Sequence, residues 1–479
     1  MTPSIKNQVL SGVIWSTIRI WGNRLGGILI FFILARILSP EDFGIYSAVW
    51  AILLFLEVFT EQGFADAIIQ RPEIEKKQIN SVFLMNLGMS LIIFLSIWLL
   101  APSIALWMHM PKIELPLKIA GFAIIFNALG FCQLAMCRRK FQYRWLAIRT
   151  LLATLISGGI GITLAIAGYG VWALIVQFVT ASIINLILLW MRPLWLPSFE
   201  FSLKGLMDLM RFSVKLMISR LFDATSSRAF ELAIGAWMGA VTLGIYSVGA
   251  RVYTIVLQLL SSVVLDVAHS GFSRLAENKV RFTEAYYKAI TVTVAISLPL
   301  FVLLSSVSQE LCVAFFGNRW TESGSILQLL ALLGAVQSVQ YFNGAALNAL
   351  GNTGLTLFIA LLKALMTIFV LVIFGKGDLQ TLVLAYVLGQ IIVNPLSFLL
   401  AKKHVGFSWK KIGLSIWPYI LGTTASYVVT ITTKHLLQID HVWIRLITLS
   451  TIGGGTYIAF VIAFAPHSII SSLRHLKQK

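Results

Sequence analysis

The chain has 479 residues, of which 58% are hydrophobic and 12% charged, with a formal net charge of +18 at pH 7. So few charges could not cover the surface of a soluble protein, and the hydrophobic content excludes a disordered chain. We interpret the basic excess as a signal for membrane orientation, because Lys and Arg residues in loops set topology. No nucleic-acid partner is expected.

Fourteen apolar runs are long enough to cross a membrane, since about 20 residues span the hydrocarbon core as a helix. With the N-terminus inside, the inner segments carry about three times as many Lys and Arg residues as the outer ones. We therefore predict an all-α polytopic protein of the inner (cytoplasmic) membrane, with both termini cytoplasmic. The predicted spans are 12–37, 44–69, 80–107, 115–136, 146–167, 170–190, 213–238, 242–267, 288–309, 324–349, 354–375, 379–400, 412–433 and 442–465.

The loops between these spans are too short to hold a soluble catalytic or nucleotide-binding domain. The chain also lacks the GxxxxGK[ST], HExxH and GxSxG motifs, and its three cysteines have no disulfide or metal-site spacing. We expect neither enzymatic activity, nor a cofactor, nor a bound metal. The N-terminus has no signal-peptide cleavage pattern and is expected to be that of the mature protein.

A short internal repeat suggests a duplication. The pentapeptide FGIYS at Phe43–Ser47 recurs as LGIYS at Leu243–Ser247, and each copy opens the second span of a half-chain. Six spans separate the copies, so both halves would enter the membrane in the same orientation. This predicts two six-helix lobes, related by an axis along the membrane normal, with a site at their interface.

The predicted organisation follows from that repeat. The first lobe covers 1–197, the second lobe covers 212–403, and 404–479 holds the last two spans and a cytoplasmic tail. Residues 198–211 join the lobes. Their polar and apolar residues alternate at helical spacing, which fits either an amphipathic helix on the inner surface or an ordinary linker.

Charged residues within the spans are the candidate functional residues, because each costs roughly 2.5–3.5 kcal/mol at mid-membrane. They must face a wet cavity, pair with one another, or reach the interface from a span end. Arg149, near the inner end of its span, is interpreted as a topology charge. The candidate substrate-binding residues are Arg19, Arg24, Arg220, Arg228, Arg251, Gln258 and Lys363, and the candidate ion-coupling residues are Glu57, Glu61, Asp223, Glu231 and Asp266.

Helical spacing favours a lumen wall on the eighth span. Ser247, Arg251, Thr254, Gln258 and Ser262 fall on one face of an otherwise apolar helix. On the first span, the residues that share a face are Arg19, Asn23, Gly26 and Gly27, and small residues there allow close helix approach.

Several in-span charges have a structural alternative. Arg220 and Arg228 lie three residues before Asp223 and Glu231, so they either bind substrate or neutralise those acids. Arg19 either faces the lumen or reaches the inner headgroups.

Arg24, Arg251 and Lys363 have no acid at three or four residues' distance. A surplus of cations in a cavity suggests an anionic substrate, and phosphate geometry suits Arg. Glu57 and Glu61 lie one turn apart, where two carboxylates would share a proton; alternatively, each pairs with a cation on another span, such as Arg24 or Lys363.

Three stretches carry a family resemblance: LARILSPEDFGIYS, CRRKFQYRWLAIRTLLATLISGGIGITLAIAGYGVWALIVQ and FFGNRWTESGSILQLLALLGAVQSV. They resemble the polysaccharide-transporter branch of the multidrug/oligosaccharidyl-lipid/polysaccharide exporter superfamily, and within it the Wzx-type flippases such as colanic acid exporters. The resemblance implies fourteen helices, a V-shaped central cavity between two six-helix lobes, and alternating access.

The substrate implied by the resemblance is an undecaprenyl-diphosphate-linked oligosaccharide, moved from the cytoplasmic to the periplasmic leaflet for surface polysaccharide biosynthesis. Membrane lipids and the polysaccharide polymerase machinery are the other partners it suggests. In the related lipid II flippase, cavity arginines lie on the first, second and eighth helices. Arg24 and Arg251 match the first and eighth by position, whereas the second span here carries Glu57 and Glu61 instead.

Two alternatives remain open at this stage. A drug/cation antiporter of the same superfamily would favour an acidic rather than a cationic cavity. A membrane-embedded glycan polymerase or ligase usually carries a large extracytoplasmic loop, and this chain has none.

Overall fold

The computed structural model describes residues 5–61, 64, 68–69, 74–275, 278–437 and 439–464. Within helices it leaves out the side chains of 5–14, 18, 61, 204–205, 208–227, 261–271, 273–274, 341 and 353. The regular elements of this described part are all helical, as predicted. The α-helices are α1 (Ile5–Ile37), α2 (Pro40–Glu61), α3 (Lys76–Trp107), α4 (Glu114–Arg139), α5 (Tyr143–Ile166), α6 (Val171–Trp190), α7 (Leu203–Leu275), α8 (Lys279–Ser306), α9 (Ser308–Phe316), α10 (Thr321–Val339), α11 (Tyr341–Ala349), α12 (Thr353–Phe374), α13 (Leu379–Val405), α14 (Trp409–Leu436) and α15 (Val442–Phe464).

Thirteen helical stretches in the described part are long and apolar enough to cross a membrane. Most begin and end within a few residues of the predicted spans; α6, at Val171–Trp190, was predicted at 170–190. The chain is therefore a multi-pass membrane protein, and the all-α fold is confirmed.

The predicted seventh and eighth spans meet at a break in the helical chain. In α7, which is 73 residues long, two helices join at Gly239, whose φ of 85° and ψ of 178° are not helical. This break lies between the predicted spans 213–238 and 242–267, and the stretch of α7 around it whose side chains are described, Arg228–Leu260, is apolar enough to cross a membrane. Helix begins at Leu203, so the second part of the 198–211 segment is helical and continuous with that span.

Contacts divide the chain into two compact units, Met1–Ser247 and Val248–Lys479, which we call unit 1 and unit 2. In unit 1, α4 packs against α2, α3 and α6, while α1 packs along α5. In unit 2, α8 packs against α10 and α14, and α12 packs against α13. The lobe bounds drawn from the repeat, and the V-shaped cavity between lobes, remain predictions.

The last two spans, predicted to lie outside the repeat, are held to unit 2 by packing and by charge. Helix α14 contacts α8, and α15 contacts α9. Glu310 on α9 has a side chain only 1% exposed, and one of its carboxylate oxygens lies 2.9 Å from Lys434 Nζ and 3.5 Å from Arg445 Nε. A buried carboxylate is tolerated here because two cations compensate its charge.

The two copies of the repeat contact each other directly. Helix α2 carries Gly44, and the part of α7 that follows the break at Gly239 carries Gly244; both segments belong to unit 1. A Cβ on Gly44 would overlap the carbonyl oxygen of Ala240, and a Cβ on Gly244 would overlap that of Pro40. The contact is reciprocal and made by backbone, so it requires glycine on both sides.

We expect Gly44→Ala to lower the thermal unfolding midpoint of the purified protein. The added methyl group would force two backbones apart, and overpacking of this kind costs about 1–3 kcal/mol. Gly27→Ala is the matched control, because nothing lies within 4 Å of a Cβ built at Gly27. Its midpoint should stay equal or rise, since Ala favours helix over Gly by about 1 kcal/mol. An unchanged midpoint for Gly44→Ala would show that the backbones at Gly44 and Ala240 are not in tight contact.

Candidate functional site: a polar chamber and in-span charges

A cavity of about 220 Å³ lies inside unit 1, between helices α2 to α6. We call it the polar chamber, because seven of its lining residues carry polar side chains. Apolar residues such as Phe131 and Leu189 line the remainder. The polar lining comes from all five helices and consists of Glu57, Thr60, Asn86, Asn127, Arg149, Ser182 and Asn185.

The chamber lies in the half of the membrane that the topology prediction places inside. Arg149 is six residues after the start of α5, and Asn185 is five residues before the end of α6. At a rise of 1.5 Å per residue, these positions are about 9 Å and about 8 Å from the inner helix ends. Asn86 is ten residues along α3, about 15 Å from its inner end. The polar groups of α3, α5 and α6 therefore lie about 8 to 15 Å from these helix ends.

Glu57 is hydrogen-bonded within the chamber. The Asn127 side-chain amide donates to Glu57 Oε1 at 3.2 Å, across from α4 to α2. Thr60 Oγ1 donates to the Glu57 carbonyl oxygen at 2.8 Å. Asn127 is exposed, so the chamber is open on that side. A half-buried carboxylate therefore lies in the chamber with an amide donor beside it.

Three buried polar atoms in the chamber lack a hydrogen-bond partner: Arg149 Nε, Asn86 Nδ2 and Asn185 Oδ1. The other ends of both amides are engaged. Ser90 Oγ donates to Asn86 Oδ1 at 3.4 Å, and Asn185 Nδ2 donates to the Ala181 carbonyl oxygen at 2.8 Å. Buried polar groups are nearly always satisfied, so these atoms indicate a place for water or a ligand.

Arg149 does not behave as the topology charge we predicted. It is only 9% exposed and lines the chamber, so it cannot reach the lipid headgroups. Arg19 on α1 and Arg138 at the end of α4 are close enough to interact with it electrostatically. The electrostatic potential around Arg149 is therefore positive.

Two of the residues predicted to share a face of α1, Asn23 and Gly26, lie where that helix packs on α5. Thr154 Oγ1 donates to Asn23 Oδ1 at 2.5 Å, and a Cβ on Gly26 would meet the Thr154 methyl group. The predicted close approach at this small-residue face is therefore present. Arg19 and Arg24 are both half-buried on the same helix.

On α7, the structural alternative holds for one of the two predicted pairs. Arg228 Nη1 donates to both carboxylate oxygens of Glu231 at 3.1 Å, with both side chains half-buried. Arg251 and Gln258 are exposed, consistent with the polar face predicted there. The side chains of Arg220, Asp223 and Asp266, like that of Glu61 on α2, lie outside the described residues.

Lys363 on α12 is half-buried beside a buried polar cluster. Gln390 on α13 donates from Nε2 to Thr367 Oγ1 at 3.1 Å and to the Lys363 carbonyl oxygen at 3.4 Å. These bonds fix the backbone that carries Lys363. The substrate-binding and ion-coupling roles of all the candidate residues remain predictions.

Thr60, Ser182 and the amides of the chamber were not predicted from the sequence, because the candidates there were the charged residues within spans and Gln258. A usable signal existed: Asn86, Asn127 and Asn185 each interrupt an apolar run. Amides are costly in hydrocarbon unless they are bonded or wet, so several within neighbouring spans indicate a shared polar space. Among the described residues, no group of three or more His, Cys, Asp or Glu side chains could hold a metal ion.

The helical architecture has a counterpart among solved structures. It is similar to the lipid II flippase MurJ in its inward closed conformation, with a TM-score of 0.78 and 16% identity over 95% of this chain and 100% of that one. That likeness shows the fold, a polytopic helical architecture found in membrane transporters.

The chain belongs to the polysaccharide biosynthesis protein family, whose model matches residues 33–325. It is 24% identical to the succinoglycan biosynthesis transport protein ExoT of Rhizobium meliloti (strain 1021), over 88% of this chain and 84% of that protein. It is also 24% identical to the lipopolysaccharide biosynthesis protein WzxC of Escherichia coli (strain K12), over 87% of this chain and 86% of that protein. The family resemblance drawn from the sequence is confirmed.

Proposed function

We propose that this protein is a flippase of the inner membrane that moves an undecaprenyl-diphosphate-linked oligosaccharide from the cytoplasmic to the periplasmic leaflet by alternating access. The observation that carries the proposal is family membership over most of a chain whose fold is that of a lipid-linked precursor flippase. Two relatives that align over most of their length are named for succinoglycan transport and for lipopolysaccharide biosynthesis.

The charges within the helices support this function physically. A diphosphate and several sugars cannot cross hydrocarbon unaided, so the head group needs a polar path while the lipid tail stays in the membrane. Half-buried cations on α1 and α12, such as Arg24 and Lys363, and the exposed Arg251 on α7 are suited to a phosphate-bearing substrate. We assign Arg24 and Arg251 to the diphosphate, since Arg can bind it bidentately.

Replacing Arg24 or Arg251 with Ala should abolish glycan export by a strain that depends on this gene, with membrane abundance unchanged. Lys should restore export only in part, because it loses the bidentate geometry. The readouts are surface glycan and accumulated lipid-linked precursor. Arg144→Ala is the control: Arg144 is an exposed arginine packed over the Trp15 ring, and its loss should leave export intact. Full export by both Ala variants would assign these cations a structural role.

We also place ion coupling at Glu57 and Glu61 on α2. Directional transport needs a bias, which a second ligand can supply if it binds the two states of a carrier with different affinities. Glu57 lies in a polar chamber that protein does not close on the side of Asn127, which leaves a path for a proton. Glu231, in contrast, is engaged by Arg228.

A Glu57→Gln, Glu61→Gln double variant should still bind lipid-linked glycan but lose the pH-gradient dependence of flipping in proteoliposomes. The amides keep side-chain volume and polarity but cannot release a proton. Glu231→Gln serves as the comparison and should retain the dependence. Gradient dependence that survives in the double variant would remove Glu57 and Glu61 from the coupling role.

The orientation of the chain is tested separately. Reporter fusions at Lys112, Gly317 and Lys376 should report the periplasm, and fusions at Lys76, Lys140 and Lys403 the cytoplasm, because the basic loops stay inside. Opposite results at any two of these sites would refute the span assignment.

A further inference from the structure

Two residues that line the polar chamber carry a buried hydrogen-bond donor without a protein acceptor. Arg149 is 9% exposed and Asn86 is 2% exposed, and neither Arg149 Nε nor Asn86 Nδ2 has a partner. Leaving a buried donor unpaired costs about 1–3 kcal/mol, and more for a charged group. Two such donors in one cavity therefore indicate a bound acceptor.

The charges around the chamber favour an anion as that acceptor. Arg149 interacts electrostatically with Arg19 and Arg138, two further cations. Glu57 is the acid whose described side chain lines the chamber, and Asn127 donates to it. The groups from α3 and α6, Asn86, Ser182 and Asn185, are neutral. Water could accept from the two donors, but it would not compensate the buried guanidinium.

The size of the chamber limits what can bind. A volume of about 220 Å³ holds several waters at about 30 Å³ each, or one small anion with part of its hydration shell. The head group of a lipid-linked oligosaccharide, with two phosphates and several sugars, is larger. On the side of the exposed Asn127, protein does not close the chamber.

We infer that the polar chamber of unit 1 is a binding site for a small inorganic anion, held by the Arg149 guanidinium and the Asn86 amide. The site is distinct from the proposed diphosphate contacts at Arg24 and Arg251. It does not depend on the flippase proposal, because the inference needs no substrate.

Thermal unfolding of the purified full-length protein tests the inference. Chloride replaces gluconate at constant ionic strength, and a parallel series uses inorganic phosphate. A ligand that binds only the folded state raises the midpoint with concentration. We expect a saturable rise with chloride or phosphate, and no saturable rise in gluconate alone.

Three variants identify the site. Arg149→Gln should abolish the rise, and Asn86→Ala should raise the half-saturating concentration several-fold because one donor is lost. Glu57→Gln should lower the half-saturating concentration several-fold, because it removes a carboxylate that repels the anion. Arg144→Gln is the matched control on the same helix, exposed and outside the chamber, and should behave like the wild type.

Several outcomes would overturn the site. The first is a wild-type unfolding midpoint that changes with neither anion, which would mean that the chamber holds only water. The second is an equal rise of the midpoint in gluconate, and the third is an unchanged anion dependence of the midpoint in Arg149→Gln. If Arg149→Gln does not fold, the opposite shifts expected of Asn86→Ala and Glu57→Gln decide the question. If the half-saturating concentration shifts in the same direction in both variants, or in neither, the anion site is refuted.

Discussion

A charge inside a bilayer must be paired, hydrogen-bonded or wet, and this requirement organises the interior of the protein. The structure meets it in several ways. Arg228 and Glu231 neutralise each other along one helix. Glu310, almost fully buried, lies beside two cations from the last two spans. Glu57 takes an amide donor from a neighbouring helix and faces a cavity. Arg149 shares that cavity, and its Nε lacks a protein partner.

These arrangements have different consequences for function. An ion pair within one helix moves with that helix, so it is insensitive to rearrangement. The polar chamber is assembled from five helices, and a shift of any of them alters the distances between its polar groups. Helix α2 carries both Glu57 and Gly44, thirteen residues or about 20 Å apart. A rigid helix therefore links the chamber to the contact between the repeat copies.

Hydropathy predicted the spans well because the cost of exposing backbone in lipid allows few structures other than long apolar helices. It placed the boundary between the seventh and eighth spans next to Gly239, but it did not predict that helix continues directly across that residue without a loop, since this depends on a single backbone conformation. The pairing of Arg228 with Glu231 followed from helical spacing, which is local. The polar chamber depends on residues from helices far apart in sequence, and its amides carry no charge to mark them. Arg149 was misinterpreted because distance from a span end says nothing about the helices that cover it.

The contact between Gly44 and Gly244 offers a physical reason why the two pentapeptides are alike. Here each copy is part of the other's environment: the carbonyl of Pro40 occupies the space beside Gly244, and that of Ala240 the space beside Gly44. A change in one copy meets the backbone of the other. Substitution at either glycine is therefore constrained by the backbone of the other segment.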